Sequence, residues 1–112
     1  IGYLGMARNE ETLQPEWYLG KLPPRLGRFE VIVCDPMLAT GGSAIAAGEL
    51  LEKRGAKQLR FIHALAAPEG VRAVRKNFSK AKILTAALDD RLNENGYIVP
   101  GLGDAGDRCF GC

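Results

Sequence analysis

The sequence has no apolar run long enough to cross a bilayer as a helix. Its net charge is only +2, too small to argue for nucleic acid or an acidic membrane as a partner. The first residues, Ile1 to Met6, carry neither the basic leader nor the cleavage site of a signal peptide. They also lack an initiator Met and open directly on an apolar run, the pattern of a strand entered midway. The expectation is the C-terminal part of something longer. Cysteines are few: Cys34, Cys109 and Cys112. Cys34 closes an apolar run and reads as a small buried hydrophobe. Cys109 and Cys112 have CxxC spacing, but one such pair without a second is a weak zinc signal. An odd cysteine count without a secretory leader points to a reducing, cytoplasmic compartment. Internal repeats and low-complexity tracts are absent as well.

What is present is the balance of a globular protein, 46% hydrophobic and 25% charged over 112 residues, the size of one domain. A strand is expected at residues 1–6. The polar stretch from Arg8 to Pro15 then reads as an excursion, a hairpin arm continuing through Trp17, Tyr18 and Leu19. Trp17 and Tyr18 would pack the arm or meet another subunit. Pro23, Pro24 and Gly27 break the chain. Val31 to Cys34, within residues 29–34, is a short β-branched run that predicts a strand buried on both faces. Beyond a glycine-rich loop, Ser43 is the expected N-cap of a helix reaching about Arg54, with Ile45, Ala46, Leu50 and Leu51 apolar and Gly55 as the stop. Residues 59–67 form a second buried strand. Pro68 and Glu69 open another helix, with Val71, Val74 and Phe78 on one face. Residues 82–87 make a third strand. This alternation implies right-handed crossovers and an α/β fold, a mostly parallel sheet with flanking helices. The tail from Asp89 is rich in turns. Asp89 and Asp90 read as a solvated cap, and His63 as a core or surface residue rather than a base.

The loop from Asp35 to Ser43 reads Asp-Pro-Met-Leu-Ala-Thr-Gly-Gly-Ser. It lies between a buried strand and a helix, where α/β sheets bind ligands. Gly41 and Gly42 let backbone approach a phosphate without Cβ clash. Their N–H groups, with the first turn of the helix, can form an anion nest, and Thr40 and Ser43 add hydroxyl donors. Asp35 is unsuited to phosphate, because like charges repel, but suits the hydroxyls of a sugar. Together these features describe a ribose 5-phosphate site. No Lys follows the glycines, so this is not a Walker A loop, and G-x-G-x-x-G is absent. The plainer alternative is a strand–helix turn with a glycine pair and a capping serine.

The segment from Tyr97 to Arg108 carries Pro100, Gly101, Gly103 and Gly106. A stiffened, glycine-rich main chain can pair with the edge of a flat pyrimidine, and such a reader rejects analogues lacking the matching groups. By its residues alone it reads equally as a glycine-rich loop or an unstructured end.

The loop resembles the phosphoribosyl diphosphate loop of uracil phosphoribosyltransferases. Pro36, where the broader type I phosphoribosyltransferase pattern has a second acid, is typical of the uracil branch. The resemblance extends through Arg8-Asn9-Glu10-Glu11-Thr12, Ala67-Pro68-Glu69-Gly70 and the tail, nearly the whole chain. It implies a type I phosphoribosyltransferase-like, Rossmann-like core with a β-arm and a C-terminal base-binding loop, residues 1–112 being the C-terminal portion of a single domain. The family's N-terminal portion, with further helices and another diphosphate-binding loop, is not in this sequence. The implied reaction converts uracil and 5-phosphoribosyl 1-diphosphate to UMP and diphosphate, a step of pyrimidine salvage. Phosphoribosyl diphosphate would be held by Arg8, by Asp35, Pro36, Met37, Leu38, Ala39, Thr40, Gly41, Gly42 and Ser43, and by Asp104. Uracil would be held by Ile98, Gly103, Asp104 and Ala105. Asp35, Asp104 and Arg8 are the implied catalytic set, with Mg²⁺ bound through substrate and water rather than directly. A homo-oligomer and a GTP effector are further implications. The alternative is a non-catalytic nucleotide-sensing domain, or a degenerate transferase-like domain of the kind fused to uridine kinases.

Overall fold

A computed structural model describes residues 1–9, 11–12 and 15–111. Glu10, Leu13, Gln14 and Cys112 lie outside the described residues, as does the side chain of Arg8. The chain opens with an antiparallel hairpin of β1 (Tyr3–Arg8) and β2 (Pro15–Lys21), with an irregularity between Gly5 and Met6. This is the expected arm, its first strand two residues later than the apolar run suggested. β2 is exposed along its whole length. A short 3-10 turn, Leu26–Arg28, leads into the sheet.

The sheet is parallel. Its centre is β5 (Gln58–Ala66). One edge of β5 pairs with β6 (Lys82–Leu88), the other first with β3 (Glu30–Cys34) and then with β4 (Met37–Leu38). Cys34 lies opposite Ile62 and Met37 opposite Leu65, so β3 and β4 keep one register along the same edge. Asp35 and Pro36 bridge them. The Asp35 amide donates to the Ile62 carbonyl at 3.1 Å, and the Pro36 carbonyl accepts from Ala64 and Leu65 at 3.0 Å. The loop read from the sequence therefore begins as interrupted strand, and only its second half, from Ala39, leaves the sheet.

Two helices cover one face. α1 (Gly42–Lys53) and α2 (Pro68–Asn77) follow β4 and β5. Pro68 occupies the first turn of α2, where a missing N–H costs nothing. Phe61, Val74 and Phe78 meet beneath the helices with Leu38, Ala44 and Ala66, and the Phe61 and Phe78 rings lie 5.7 Å apart. A second cluster joins Leu26, Leu51 and Ala56. The opposite face is open: Ile32, Cys34, Ala64, Leu84 and Ala86 are exposed there. This corrects two expectations. β3 alternates between half-buried and exposed positions instead of being buried on both faces, and Cys34 is exposed. The β-branched run was read correctly as strand, but its even positions point away from both helices.

After β6 the chain forms a small hairpin of β7 (Arg91–Leu92) and β8 (Ile98–Val99), then a short helix α3 (Ala105–Phe110). The turn-rich tail is thus folded, and Cys109 is exposed on α3. No helix among the described residues is long and apolar enough to cross a membrane.

Candidate functional site

Asp35 sits at the break between β3 and β4, half-buried. Its carboxylate accepts weakly from the Met37 amide at 3.3 Å, a local turn that leaves most of its acceptor capacity free. Its carbonyl accepts from Nδ1 of His63 at 2.8 Å. A carbonyl can only accept, so Nδ1 carries the hydrogen. His63 is 3% exposed and stacked on Phe61, and its Nε2 has no partner among the described residues. The histidine read as a core or surface residue is a core residue, and it braces the backbone of Asp35.

The turn beyond Leu38 is built on Gly41, the N-cap of α1, with φ 90°. A Cβ there would also lie 3.2 Å from the Gly70 carbonyl oxygen. This corrects the expectation for Ser43, which is the second residue of α1 and not its cap. The amides of Ser43 and Ala44, in the first turn, have no intrahelical acceptor. The Gly42 amide donates to Thr40 Oγ1 at 3.3 Å, which holds the turn and leaves the hydroxyl proton free to donate outward. Exposed N–H groups at a helix start, with the positive end of its dipole, suit an anion.

The tail comes to the same place. A cleft of about 380 Å³ is lined by Asp35, Pro36, Met37 and Ala39 on one side and by Tyr97, Ile98, Gly103, Asp104 and Ala105 on the other. Ile98 is a buried residue, 1% exposed, on the wall of this cleft. Asp104 caps α3, its carboxylate accepting from the Asp107 amide at 2.8 Å, and Arg108 Nε donates to the Leu102 carbonyl. A second cleft, of about 340 Å³, runs from Asp35 and Ser43 to Met6, Trp17 and Tyr18 of the arm. Asp35 and Pro36 line both. Another cleft, about 450 Å³, lies elsewhere, against Leu22, Phe29 and Val31. It is mainly apolar and offers no such convergence of polar groups.

Asp35, Pro36, Met37, Ala39, Ile98, Gly103, Asp104 and Ala105 are thus brought together, with Ser43 on the neighbouring cleft, while the side chain of Arg8 lies outside the described residues. β1 ends at Arg8, opposite Pro15. Sequence reasoning missed Asp89. It is half-buried, and its carboxylate accepts from the Gly101 amide at 2.8 Å, so it is no solvated cap. It missed Glu69 too, whose Oε1 accepts from the Leu92 amide at 3.4 Å. Both partners are main-chain groups, which leave no mark in a sequence.

A family model described as uracil phosphoribosyltransferase matches residues 1–112. The uracil phosphoribosyltransferase of Levilactobacillus brevis is 61% identical over 111 residues, 99% of this chain and 53% of that protein. That of Streptococcus pneumoniae is 59% identical, with the same coverage. Among solved structures, the AQ2163 protein from Aquifex aeolicus superposes with a TM-score of 0.84 at 44% identity, over 97% of this chain and 52% of that one. The chain spans about half the length of the relatives it matches.

Proposed function

The chain belongs to the uracil phosphoribosyltransferase family, and from that premise we propose that it supplies the ribose 5-phosphate and base sites of an enzyme making UMP from uracil and 5-phosphoribosyl 1-diphosphate. The observation that carries this reading is the cleft in which the Asp35 loop faces Ile98, Gly103, Asp104 and Ala105. Asp35 accepts from the ribose hydroxyls. The turn from Thr40 to Ser43 holds the 5-phosphate with main-chain N–H groups and hydroxyls, and Pro36, Met37, Leu38 and Ala39 carry the chain between these anchors. Ile98, Gly103, Asp104 and Ala105 meet the uracil edge largely through main chain. Arg8 binds the leaving diphosphate with its planar fork.

In the reaction the bond from ribose C1 to diphosphate breaks, uracil N1 bonds to C1, and the N1 proton is released. The developing oxocarbenium character needs positioning and electrostatics rather than a side-chain nucleophile. Asp35, fixed by the sheet, holds the ring while Asp104 faces it across the cleft. No group of three His, Cys, Asp or Glu suited to a metal occurs among the described residues. Two carboxylates on one cleft fit an ion held mainly by substrate oxygens and water, as Mg²⁺ prefers. When bound, Mg²⁺ would neutralise charge on the diphosphate. A GTP effector, a homo-oligomer and a cytoplasmic location follow from the same family reading. Sedimentation of the protein with and without GTP tests the first two.

The intact protein carrying this chain should release diphosphate only when uracil, phosphoribosyl diphosphate and Mg²⁺ are all present. Asp35→Ala should abolish that release, since each lost hydrogen bond to a charged group is worth about 1.5–3 kcal/mol. Unchanged release would sink the role given to Asp35. The non-catalytic sensing alternative predicts binding of the same ligands without release.

A further inference from the structure

We propose that Asp89 is a positioning residue for the base-reading loop, a role that rests on the base site described above. Asp89 follows the end of β6. Its amide donates to the Ala66 carbonyl at 2.9 Å, which fastens it to the top of β5. Its carboxylate accepts from the Gly101 amide at 2.8 Å, a charge-assisted bond in a half-buried setting. Next to it, the Asp90 amide donates to the Val99 carbonyl at 3.1 Å. The two acids thus hold the residues on either side of Pro100.

What they hold is tightly folded. Gly101 has φ 52°, and a Cβ on it would stand 1.9 Å from the Ile98 carbonyl oxygen. The loop doubles back on Ile98, so fixing Gly101 fixes the Ile98 main chain as well. Ile98 and Gly103 line the base cleft; Asp89 does not. Asp89 therefore acts through the loop, transferring the rigidity of the sheet to groups that must present donors and acceptors to a planar ring. Reading by main chain needs this more than reading by side chain, because a backbone amide cannot change rotamer to recover a lost contact. The pattern predicts a selective effect: the base site should loosen while the phosphate turn, anchored on β4 and α1, stays as it is.

The test is calorimetry on the intact protein carrying this chain, with uracil and with ribose 5-phosphate as separate probes. Asp89→Ala should weaken uracil binding about tenfold or more, roughly the value of one charge-assisted bond, and leave ribose 5-phosphate binding within about twofold. Asp89→Asn keeps an acceptor oxygen and should restore uracil affinity to within about threefold of the parent. Val74→Ala, a core change distant from the loop, should lower the melting temperature without moving uracil affinity. Uracil affinity unchanged in Asp89→Ala overturns the proposal, as does equal loss of both probes or failure of Asp89→Asn to rescue. A parent protein that binds ribose 5-phosphate but no uracil overturns the base-site reading, and this role with it.

Discussion

At the scale of single residues, two side chains brace the main chain around the candidate site. His63 holds the Asp35 carbonyl and Asp89 holds the Gly101 amide, each through one bond to main chain. These contacts cross 28 and 12 residues of sequence, so nothing near either side chain announces its partner. The placement of Asp35 and of the Gly41–Gly42 pair was legible because the signals are local: an acid after a β-branched run, and two glycines where a helix starts. Ser43 was misjudged because Ser is a favoured N-cap, whereas a positive φ at Gly41 already starts the helix. Gly41→Ala should be costly, since φ 90° is a backbone conformation that L side chains resist. We expect a loss of about 1–2 kcal/mol in urea unfolding, accompanied by weaker binding of ribose 5-phosphate.

Among elements, the long ones were the ones the sequence announces. β5 and β6 were placed within a residue or two, and α1 and α2 likewise, because apolar spacing and terminal Gly or Pro mark them. β4, β7 and β8 have two residues each and exist only through their partners, so no propensity could find them. α3 depends on the Asp104 cap, which was read as a ligand group alone. The middle of β5 has the strictest packing: Phe61 is fully buried between α2 and the sheet. Phe61→Ala should cost about 3–5 kcal/mol, read as a shift of the urea midpoint. The arm strands β1 and β2 should keep their hairpin signals in that variant below the transition, because their contacts are mainly with each other.

For the whole molecule, the salient fact is a parallel sheet with helices on one face. Parallel sheets are ordinarily covered on both. Here Ile32 and Leu84 are 50% and 60% exposed on the open side. A contiguous apolar surface of this kind attracts hydrophobic dyes. The 112-residue chain by itself should therefore raise the fluorescence of an anilinonaphthalene dye while fully folded. Leu84→Lys should reduce that signal and leave the circular dichroism unchanged. Sequence patterning could not foresee the open face, since Val31 to Cys34 reads the same whether or not something lies over it.

The shared register of β3 and β4 makes the site a gauge of length. Asp35 is tied to Ile62, Pro36 to Ala64 and Leu65, and the Leu38 carbonyl to the Ala67 amide at 2.8 Å. A strand advances about 3.3 Å per residue and stretches very little. On the proposed reading, the anchor for sugar hydroxyls and the start of the phosphate turn are set apart by a spacing built into the sheet itself. On the same reading, a sugar phosphate one carbon longer or shorter than a pentose should bind more weakly, and calorimetry with such sugar phosphates checks this.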